Sequence, residues 1–478
     1  MKRTVPLLSL LLLPMFFATL TPVHGEIENK LVLVSPISKA SIDPVAAAFK
    51  AYVKDKRGLE IAVELIPGSS PELYAKVQAW AGKPDGDVFW GGEYPYYPEL
   101  TSAGLLEPYI SQEWDQLPAD FQGFALKDAK GHWMSVSYYC PGIMTNRDLL
   151  AKLNLPEPKT WDDLLDSKYK GQIIMTTPAR SGGLHMDLEI ILQSRGDAKG
   201  WTYWRRLAVN VGKWAARSLE VSSLVEKGEY PIGIAIAETS AIMSKKAGYN
   251  VGFVYPDVAF FVPSPIGILK GATRPNIAKL WMDWVLSKDA QAEFLKGDLL
   301  PARKDIRFSD YPNIPGAAIM KDFMKAENVY GIAVKNYPMD FSLYTKRFSD
   351  VNTLFDDTIS KKIDDLTKAW SAIQDAAKSI TEAESTIAAR EKEGYDVAKA
   401  KDNIKGAKTL LGDATTNFDA GKYGDATTGA AKAKEQAVAS VGLARKPEWY
   451  EQPQSIALVL VAAIVAIAIL AMLKKKKK

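Results

Sequence analysis

Residues 31–58 read LVLVSPISKASIDPVAAAFKAYVKDKRG, and this stretch decides the fold class. Its first four residues are apolar and predict a short strand. Ser41 or Asp43 can cap the helix that follows, Pro44 suits its first turn, and Gly58 favours its end. The stretch therefore predicts a strand followed by a helix, which is the first half of a βαβ unit.

The same alternation of strand and helix continues along the chain. Residues 60–66 predict a second strand, a helix lined by Leu73 and Trp80 follows, and residues 87–90 predict a third strand. Because a helix separates each pair of strands, we expect a parallel sheet with crossover helices. Further strands are predicted at residues 172–176, 231–237, 259–262 and 266–268. The chain is therefore expected to contain two α/β lobes.

The N-terminus predicts export. Residues 1–25 combine a positive start, a short apolar run and small residues before a cleavage point, as in a secretory signal peptide. The alternative is an N-terminal membrane anchor, but the apolar run is short and is interrupted by Pro6 and Pro14. Everything after residue 25 is therefore expected outside the cytoplasm.

The C-terminus predicts a membrane anchor. Residues 456–473 are 18 residues of only Ala, Val, Ile, Leu and Met, and as a helix they span about 27 Å. Five lysines follow at 474–478, and positive flanks stay on the cytoplasmic side. A buried core helix is the alternative, which the adjacent lysines disfavour. We expect a single-pass cell-membrane protein with an extracellular binding domain and a cytoplasmic C-terminus.

The stretch before the anchor differs in composition from the rest. From about residue 355 to Pro447 the chain has no proline. Apolar residues recur there at heptad spacing, which indicates a long helix with one apolar seam; they are Ile359, Ile363, Leu366, Trp370, Ile373, Ala377 and Ile380. Residues 356–445 are therefore predicted to form a stalk of two or three antiparallel helices. A separate partner-binding module is the alternative.

Charge and cysteine content exclude several classes of protein. The net charge is +4, and five of the positive charges are the terminal lysines, so there is no basic surface for nucleic acid. Cys140 is the one cysteine. An internal disulfide and a lipid-bearing N-terminal cysteine are therefore both impossible.

Signatures of catalysis are absent from the sequence. After the signal peptide the chain keeps only His132 and His185. It has no zinc-ligand spacing, no Gly-rich phosphate loop and no nucleophile elbow. Cys140 is followed by proline and fits a small buried residue better than a nucleophile. We therefore predict no enzyme and no cofactor; an enzyme on the same fold and a structural or adhesion protein of the cell surface are the alternative classes.

Several motifs in fixed order resemble one family. They are GDVFWGG at 86–92, HW at 132–133 ahead of TNR at 145–147, WDDL at 161–164, PARSG at 178–182 and VPSPIGI at 262–268. Together they resemble the extracellular solute-binding proteins of ABC importers, in the group with ferric-iron, hexose-phosphate, thiamine and aminoethylphosphonate binders. The resemblance covers residues 30–310. An anchor at the C-terminus without a lipidated cysteine is similar to the archaeal style of such proteins.

The resemblance implies a two-lobe Venus-flytrap fold over residues 27–350. Lobe 1 would comprise residues 27–133 and 258–350, and lobe 2 residues 134–257, with crossings near 133–136 and 255–259. The solute would bind between the lobes, and the closed form would dock on permease subunits in the membrane.

Loops at the carboxyl ends of parallel strands would face the cleft between the lobes. Helix N-termini there offer free backbone N–H groups to an anion, and the loop at 180–183 adds an arginine, a serine and two glycines. We therefore expect a phosphate- or phosphonate-bearing solute; plain helix capping is the alternative role of the serines. The predicted contact residues are Ser38, Ser69, Trp90, Glu93, Tyr138, Tyr139, Arg180, Ser181, Gly182, Glu238 and Thr239.

Ferric iron is the alternative solute. Ferric binders of the family usually carry an adjacent tyrosine pair in the loop after the strand at 231–237, whereas this chain reads AETS at 237–240. A metal is therefore not favoured. If iron binds, Glu93, Tyr138 and Tyr139 would supply hard oxygen ligands, although the two tyrosines could equally lie on opposite faces of one strand, one of them in the core.

Overall fold

The computed structural model describes residues 26–121, 124–334, 337–447 and 453–475, with side chains of the last helix described through Ile469. The predicted signal peptide over 1–25 lies outside the described residues. The strands are β1 (Lys30–Ser35), β2 (Ala62–Pro67), β3 (Val88–Trp90), β4 (Leu106–Glu107), β5 (Asp120–Phe121), β6 (Phe124–Ala125), β7 (Met134–Tyr139), β8 (Pro141–Asn146), β9 (Ile173–Met175), β10 (Val211–Trp214), β11 (Ile232–Ala237), β12 (Val251–Val254), β13 (Val262–Leu269) and β14 (Leu300–Pro301).

Helices separate most of these strands. They are α1 (Lys39–Arg57), α2 (Ser70–Trp80), α3 (Tyr96–Ser102), α4 (Arg147–Lys152), α5 (Gly182–Arg195), α6 (Asp197–Ala208), α7 (Ser218–Glu226), α8 (Glu238–Lys246), α9 (Pro275–Val285), α10 (Lys288–Phe294), α11 (Pro315–Met324), α12 (Phe341–Thr358), α13 (Ile363–Lys392), α14 (Ala398–Asp419), α15 (Tyr423–Gly442) and α16 (Pro453–Lys475).

Two sheets form the two α/β lobes expected from the sequence. The sheet of lobe 1 has the order β14-β7-β13-β3-β1-β2, with β4 beside β13, and the sheet of lobe 2 has the order β10-β9-β11-β8-β12. In lobe 1, β2 and β3 pair with β1 in parallel, and β13 returns antiparallel to β3. In lobe 2, β9, β10 and β11 are parallel, and β8 is antiparallel to β11. The predicted strand at 266–268 lies within β13, whereas the one predicted at 259–262 contributes only Val262 to it.

The opening helix begins earlier than the sequence predicts. Its cap is Ser38, whose Oγ accepts from the Ser41 backbone N–H at 3.2 Å, and not Ser41 or Asp43. Ser41 is itself buried within the helix. Gly58 ends α1 as predicted, with a φ of +66° that glycine adopts without steric cost.

The chain crosses between the lobes twice within the sheets. The first crossing is at Cys140, between β7 in lobe 1 and β8 in lobe 2, and not at 133–136 as predicted. The boundary was placed early because residues 134–146 read as one apolar stretch, whereas its first half pairs with β13 and its second half with β11. The second crossing covers residues 255–261, close to the predicted position.

Three antiparallel helices, α13, α14 and α15, follow α12 and are called the bundle, which agrees with the two or three helices predicted over residues 356–445. Their role as a stalk stays a prediction. Leu366, Ile373 and Ile380 of the predicted seam are buried inside it. The bundle shares one hydrophobic core with lobe 2, in which Trp204 packs with Phe355 and the buried residues of the bundle. The apolar residues of the heptad seam therefore pack against residues of the same chain.

Ion pairing adds to the contact between the bundle and lobe 2. The Arg206 guanidinium on α6 donates to both carboxylate oxygens of Asp419, at 3.0 and 2.7 Å. The same guanidinium lies 5.8 Å from the ring centre of Trp370. Such two-point pairing fixes orientation as well as position.

The last helix, α16, carries exposed apolar side chains on all sides over its described length. No helix in the described part of the chain is long and apolar enough to cross a membrane. The predicted span at 456–473 runs past Ile469, where the described side chains end, and the side chains of 474–478 lie outside that part. The anchor therefore stays a prediction.

Candidate functional site

A cavity of about 530 Å³ opens at the carboxyl ends of β1 and β2 in lobe 1. It lies against the N-terminus of α1, whose first turn holds no acidic residue. Parallel strands present their ligand sites at this edge. The lining residues are Ser35, Pro36, Ile37, Ser38, Lys39, Val63, Glu64, Leu65, Pro67 and Gly68.

Gly91 lies beside Ile37, one of the residues that line this cavity. A Cβ placed on Gly91 would lie 3.1 Å from the Ile37 side chain, and Gly91 is two residues before Glu93. Gly91 has a φ of +81°, so the turn after β3 depends on glycine. The loops after β1 and β3 therefore form one continuous wall of lobe 1.

The two lobes touch at Glu93 and Gly182. A Cβ on Gly182 of lobe 2 would lie 3.0 Å from Glu93 Oε1 of lobe 1. Glu93 is 4% exposed, and its Oε2 accepts from the Tyr344 hydroxyl at 2.7 Å. Burial raises the pKa of Glu93, and the hydrogen bonds from Tyr344 and Tyr96 oppose that rise. The cleft is thus closed at this point around a buried carboxyl group.

Tyr138 and Tyr139 lie on opposite faces of β7. Tyr139 is in the cleft: its hydroxyl contacts the Met186 sulfur at 3.5 Å, and burial, followed by the charges of Glu93 and Glu238, raises its pKa. Tyr138 is in the core of lobe 1, 1% exposed, with its hydroxyl 2.8 Å from that of Tyr330. Successive residues of a strand face opposite sides, so Tyr138 and Tyr139 cannot both face the cleft. Of the predicted iron ligands Glu93, Tyr138 and Tyr139, Tyr138 is therefore wrong.

Glu238 lies between the two crossings. Its Oε2 accepts from the Cys140 backbone N–H at 2.6 Å, and its charge acts on Tyr255 of the second crossing. Its Oε1 has no hydrogen-bond partner among the described residues. Burial raises the pKa of Glu238 to about 8. Thr239, which follows it, is half-buried in the first turn of α8.

The loop before α5 caps that helix and brings its backbone close to Glu93. Ser181 Oγ accepts from the Leu184 backbone N–H at 3.2 Å and from the Ser218 hydroxyl at 2.8 Å, so it caps α5. Arg180 is exposed. Gly182, the first residue of α5, gives the backbone its access to Glu93.

Other predicted contact residues have structural partners of their own. Ser38 caps α1, as described above, and is exposed beside the cavity. Ser69 caps α2 and exchanges hydrogen bonds with Glu72 in a capping box. Trp90 is fully buried in the core of lobe 1, with its ring centre 5.6 Å from that of Phe294, and so lies outside the cleft. Ser38 and Ser69 therefore both cap helices, which is the alternative role given for them above.

Two residues of the cleft were missed by the sequence prediction. Tyr96 donates to Glu93 and follows it by three residues, within the aromatic run Tyr94-Pro95-Tyr96-Tyr97 that could have pointed to it. Tyr344 lies on α12, which is 251 residues from Glu93 along the chain. No local pattern could have connected the two.

The atoms in the cleft that could bind a metal ion are carboxyl and phenol oxygens. Groups of three or more His, Cys, Asp or Glu side chains that could hold a metal ion do not occur among the described residues. Glu93 is, however, surrounded by the phenols of Tyr96, Tyr139 and Tyr344, whose pKa values are raised by burial and by Glu93. The centre of the cleft therefore combines carboxyl and phenol oxygens, while the helix N-termini lie at its edge.

Comparison with known proteins gives consistent matches. The family model of bacterial extracellular solute-binding proteins matches residues 46–316. An uncharacterised protein of Haemophilus influenzae is 31% identical over 235 residues, which are 48% of this chain and 67% of that protein. The phosphoglycerate transport regulatory protein PgtC of Salmonella typhimurium is 26% identical over 282 residues, 58% of this chain and 67% of its own.

Solved structures share the fold. The periplasmic binding protein AfuA of Actinobacillus pleuropneumoniae, solved with fructose-6-phosphate, covers 69% of this chain and 98% of its own length. Its sequence identity is 24% and its TM-score is 0.55. The two-lobe architecture of periplasmic binding proteins is therefore the architecture of this chain.

Proposed function

Because the chain belongs to the family of bacterial extracellular solute-binding proteins, which deliver small solutes to ABC importers, we propose that it captures a phosphate- or phosphonate-bearing solute between its lobes. The observation that carries the proposal is the cavity at the N-terminus of α1, where Ile37 of its lining packs beside Gly91, in the loop that leads to Glu93. The acid group of the solute would lie at the N-termini of α1 and α5. Permease subunits in the membrane would be the partner of the closed form.

Charge at the two helix N-termini supports an anion. The first turns of α1 and α5 contain no acidic residue. The charged residues that line the cavity are already paired, Lys39 with Asp43 and Glu64 with Lys30, so the helix N-termini carry the argument. Free N–H groups and the helix dipole favour negative charge there. The names of PgtC and AfuA's bound sugar phosphate point to the same class of solute.

The buried carboxyl groups fit an anion only if they are protonated. Burial raises the pKa of both Glu93 and Glu238, in the latter to about 8, so Glu238 carries its proton at neutral pH. A neutral carboxyl group donates a hydrogen bond instead of repelling a negative oxygen. Glu93 and Glu238 should therefore favour solutes that carry polar groups in addition to the acid group.

A panel of solutes tests the proposal by thermal unfolding of the full chain in detergent. The probes are 3-phosphoglycerate, fructose-6-phosphate, 2-aminoethylphosphonate, inorganic phosphate, thiamine, ferric citrate and a neutral sugar. A matching solute at 100 times its Kd should stabilise the folded chain by about 2.7 kcal/mol. Gly182→Ala should remove the response, because the added methyl group lies 3.0 Å from Glu93 Oε1 and the buried, hydrogen-bonded carboxyl group must shift before the lobes can close.

Gly183→Ala is the matched control for that variant. A Cβ there lies 3.4 Å from its nearest neighbour, the Ala235 carbonyl of the same lobe, so closure should be unaffected. A phosphorylated or phosphonate probe that stabilises the parent and Gly183→Ala but not Gly182→Ala supports the proposal. If no probe shifts the melting temperature of any variant, the structural or adhesion role takes its place.

Ferric iron is the second candidate, favoured by the three phenols around Glu93. The ligand set would be Glu93, Tyr96, Tyr139 and Tyr344, in place of the set that included Tyr138. In the same panel, stabilisation by ferric citrate alone, together with a visible absorption band from tyrosinate bound to iron, would select this candidate. Tyr139→Phe should then weaken the band, whereas the core variant Tyr138→Phe should leave it unchanged.

The membrane anchor belongs to the same proposal. We expect residues 456–473 to hold the chain in the cell membrane, with 474–478 inside and the lobes outside, after removal of 1–25. Ile464→Lys with Ile467→Lys puts two charges at exposed positions of the span, each costing about 3 kcal/mol at the centre of a bilayer. The double variant should appear in the soluble fraction after alkaline washing of membranes. A parent chain that alkali releases equally well would contradict the anchor.

A further inference from the structure

The helix α12 contacts both lobes. It begins at Phe341, whose ring lies 4.8 Å from that of Tyr94 in lobe 1. It ends at Thr358, next to the bundle. Between these ends its side chains alternate between the cleft and lobe 2, so α12 is placed to respond to the separation of the lobes.

Attachment of α12 to lobe 2 is by charge and by a shared core. Arg347 donates to both oxygens of Glu189, at 2.6 Å for the closest pair, and to Asp197 at 2.8 Å. The Glu189 side chain is fully buried. Asn352 adds a hydrogen bond of 2.8 Å to His185, and Phe355 packs in the core of lobe 2 and the bundle. These contacts hold α12 to lobe 2.

Attachment of α12 to lobe 1 is much lighter. Among the described residues it includes the ring contacts of Phe341, the packing of Tyr344 with Phe124 and Val262, and the hydrogen bond from the Tyr344 hydroxyl to Glu93 Oε2, but no ion pair. Tyr344 is itself held from the lobe 2 side, since its ring packs edge-on against His185 at 4.9 Å. When the lobes separate, Tyr344 therefore stays with lobe 2 and leaves Glu93.

We infer that Tyr344 is a binding residue that completes the solute site only in the closed form, and that its hydroxyl favours closure through Glu93. As far as the solute is concerned, this rests on the proposed function. The hydroxyl groups of Tyr344 and Tyr96 both donate to Glu93, so a solute at this point shares the carboxyl group with two phenols. Tyr344 thereby ties the hydrogen bonding of Glu93 to the position of α12.

The distance between the lobes tests this inference without any solute. Spin labels on Lys50→Cys of α1 and Lys152→Cys of α4, both exposed positions, report that distance in the full chain by double electron–electron resonance. Cys140 is fully buried and stays unlabelled in the folded protein. Tyr344→Phe should lower the ratio of closed to open molecules about tenfold, since leaving one partner of a buried hydrogen bond unpaired costs about that factor.

Tyr423→Phe is the matched control. Its hydroxyl donates to the Thr358 carbonyl where α12 meets the bundle, so the variant loses the same group far from Glu93. Glu93→Gln should reduce the effect of a second change at Tyr344 to less than threefold, because the two groups act as a pair. A second label pair, Lys152→Cys with Lys399→Cys of the bundle, should keep its distance in every variant.

The inference is overturned if Tyr344→Phe has the distance distribution of the parent, or if Tyr423→Phe changes that distribution equally. A change in the distance from lobe 2 to the bundle that follows lobe opening would also contradict it. Because this readout needs no solute, failure of the solute panel leaves it intact. Conversely, an unchanged closed fraction in Tyr344→Phe leaves a positive panel result standing.

Discussion

Glu238→Gln should reduce the loss of stability that the parent chain shows between pH 5 and pH 8. In the folded chain, burial raises the pKa of Glu238 from the ordinary 4.5 to about 8. A raised pKa stabilises the fold fully below pH 4.5, and this stabilisation is lost as pH rises through 8. The shift is on the order of 5 kcal/mol at about 1.4 kcal/mol per pH unit. Glutamine keeps an oxygen for the Cys140 N–H and does not titrate.

Urea unfolding at pH 5, 6.5 and 8 measures this effect. Burial also raises the pKa of Glu93 and, well above its ordinary value, that of Asp187, so both add losses of the same sign. His185 acts in the opposite direction, because burial lowers its pKa to about 4 and stability is then lost as pH falls below 6.5. Glu229→Gln removes an exposed carboxylate of the same lobe and controls for net charge. Equal pH slopes in Glu238→Gln and the parent would show that Glu238 is ionised throughout.

Arg347→Ala should destabilise the chain by about 3–5 kcal/mol, since it leaves the buried Glu189 carboxylate without its cation. The cost arises from desolvation of an unpaired charge rather than from the loss of attraction alone. Loss of Arg347 also frees α12 from lobe 2, so protease cleavage within 341–358 should become faster. The free energy of unfolding in urea, followed by tryptophan fluorescence, gives the magnitude.

Asp197→Ala provides the matched control for Arg347. Asp197 is the exposed partner of the same guanidinium, with 63% of its side chain accessible. Its removal should cost about 1 kcal/mol or less. Adding Glu189→Leu to Arg347→Ala should recover most of the lost stability, because no buried charge then remains. If Arg347→Ala and Asp197→Ala cost the same, the buried pair does not hold α12.

The fold was predicted well where local pattern and tertiary structure agree. The apolar run at 31–34 is β1, and Gly58 ends α1, because both effects act within a few residues. Trp90 shows where pattern fails. All three residues of β3 are buried, since helices cover both faces of a parallel sheet, so the strand gave no sign of which side chain faces the cleft.

Long-range contacts explain the remaining differences. Tyr138 and Tyr139 were indistinguishable in sequence, and only the pairing of β7 with β13 and β14 decides which of them is in the core. Tyr344 lies on α12, and the predicted boundary between lobe 1 and the stalk falls within that helix. Its role depends on the return of the chain across both lobes, which no spacing within 341–358 encodes.

The continuous core of lobe 2 and the bundle determines which parts of this protein can be exchanged as modules. A bundle moved onto another two-lobe protein would expose Leu366 and Phe418 unless Trp204 and Arg206 came with it. A bundle that accompanies lobe 2 keeps these contacts and needs three junctions with a new lobe 1: the two crossings and the segment that leads into α12 at Phe341. The smallest unit of recombination is therefore lobe 2 with α12 and the bundle, and lobe 1 is the replaceable part.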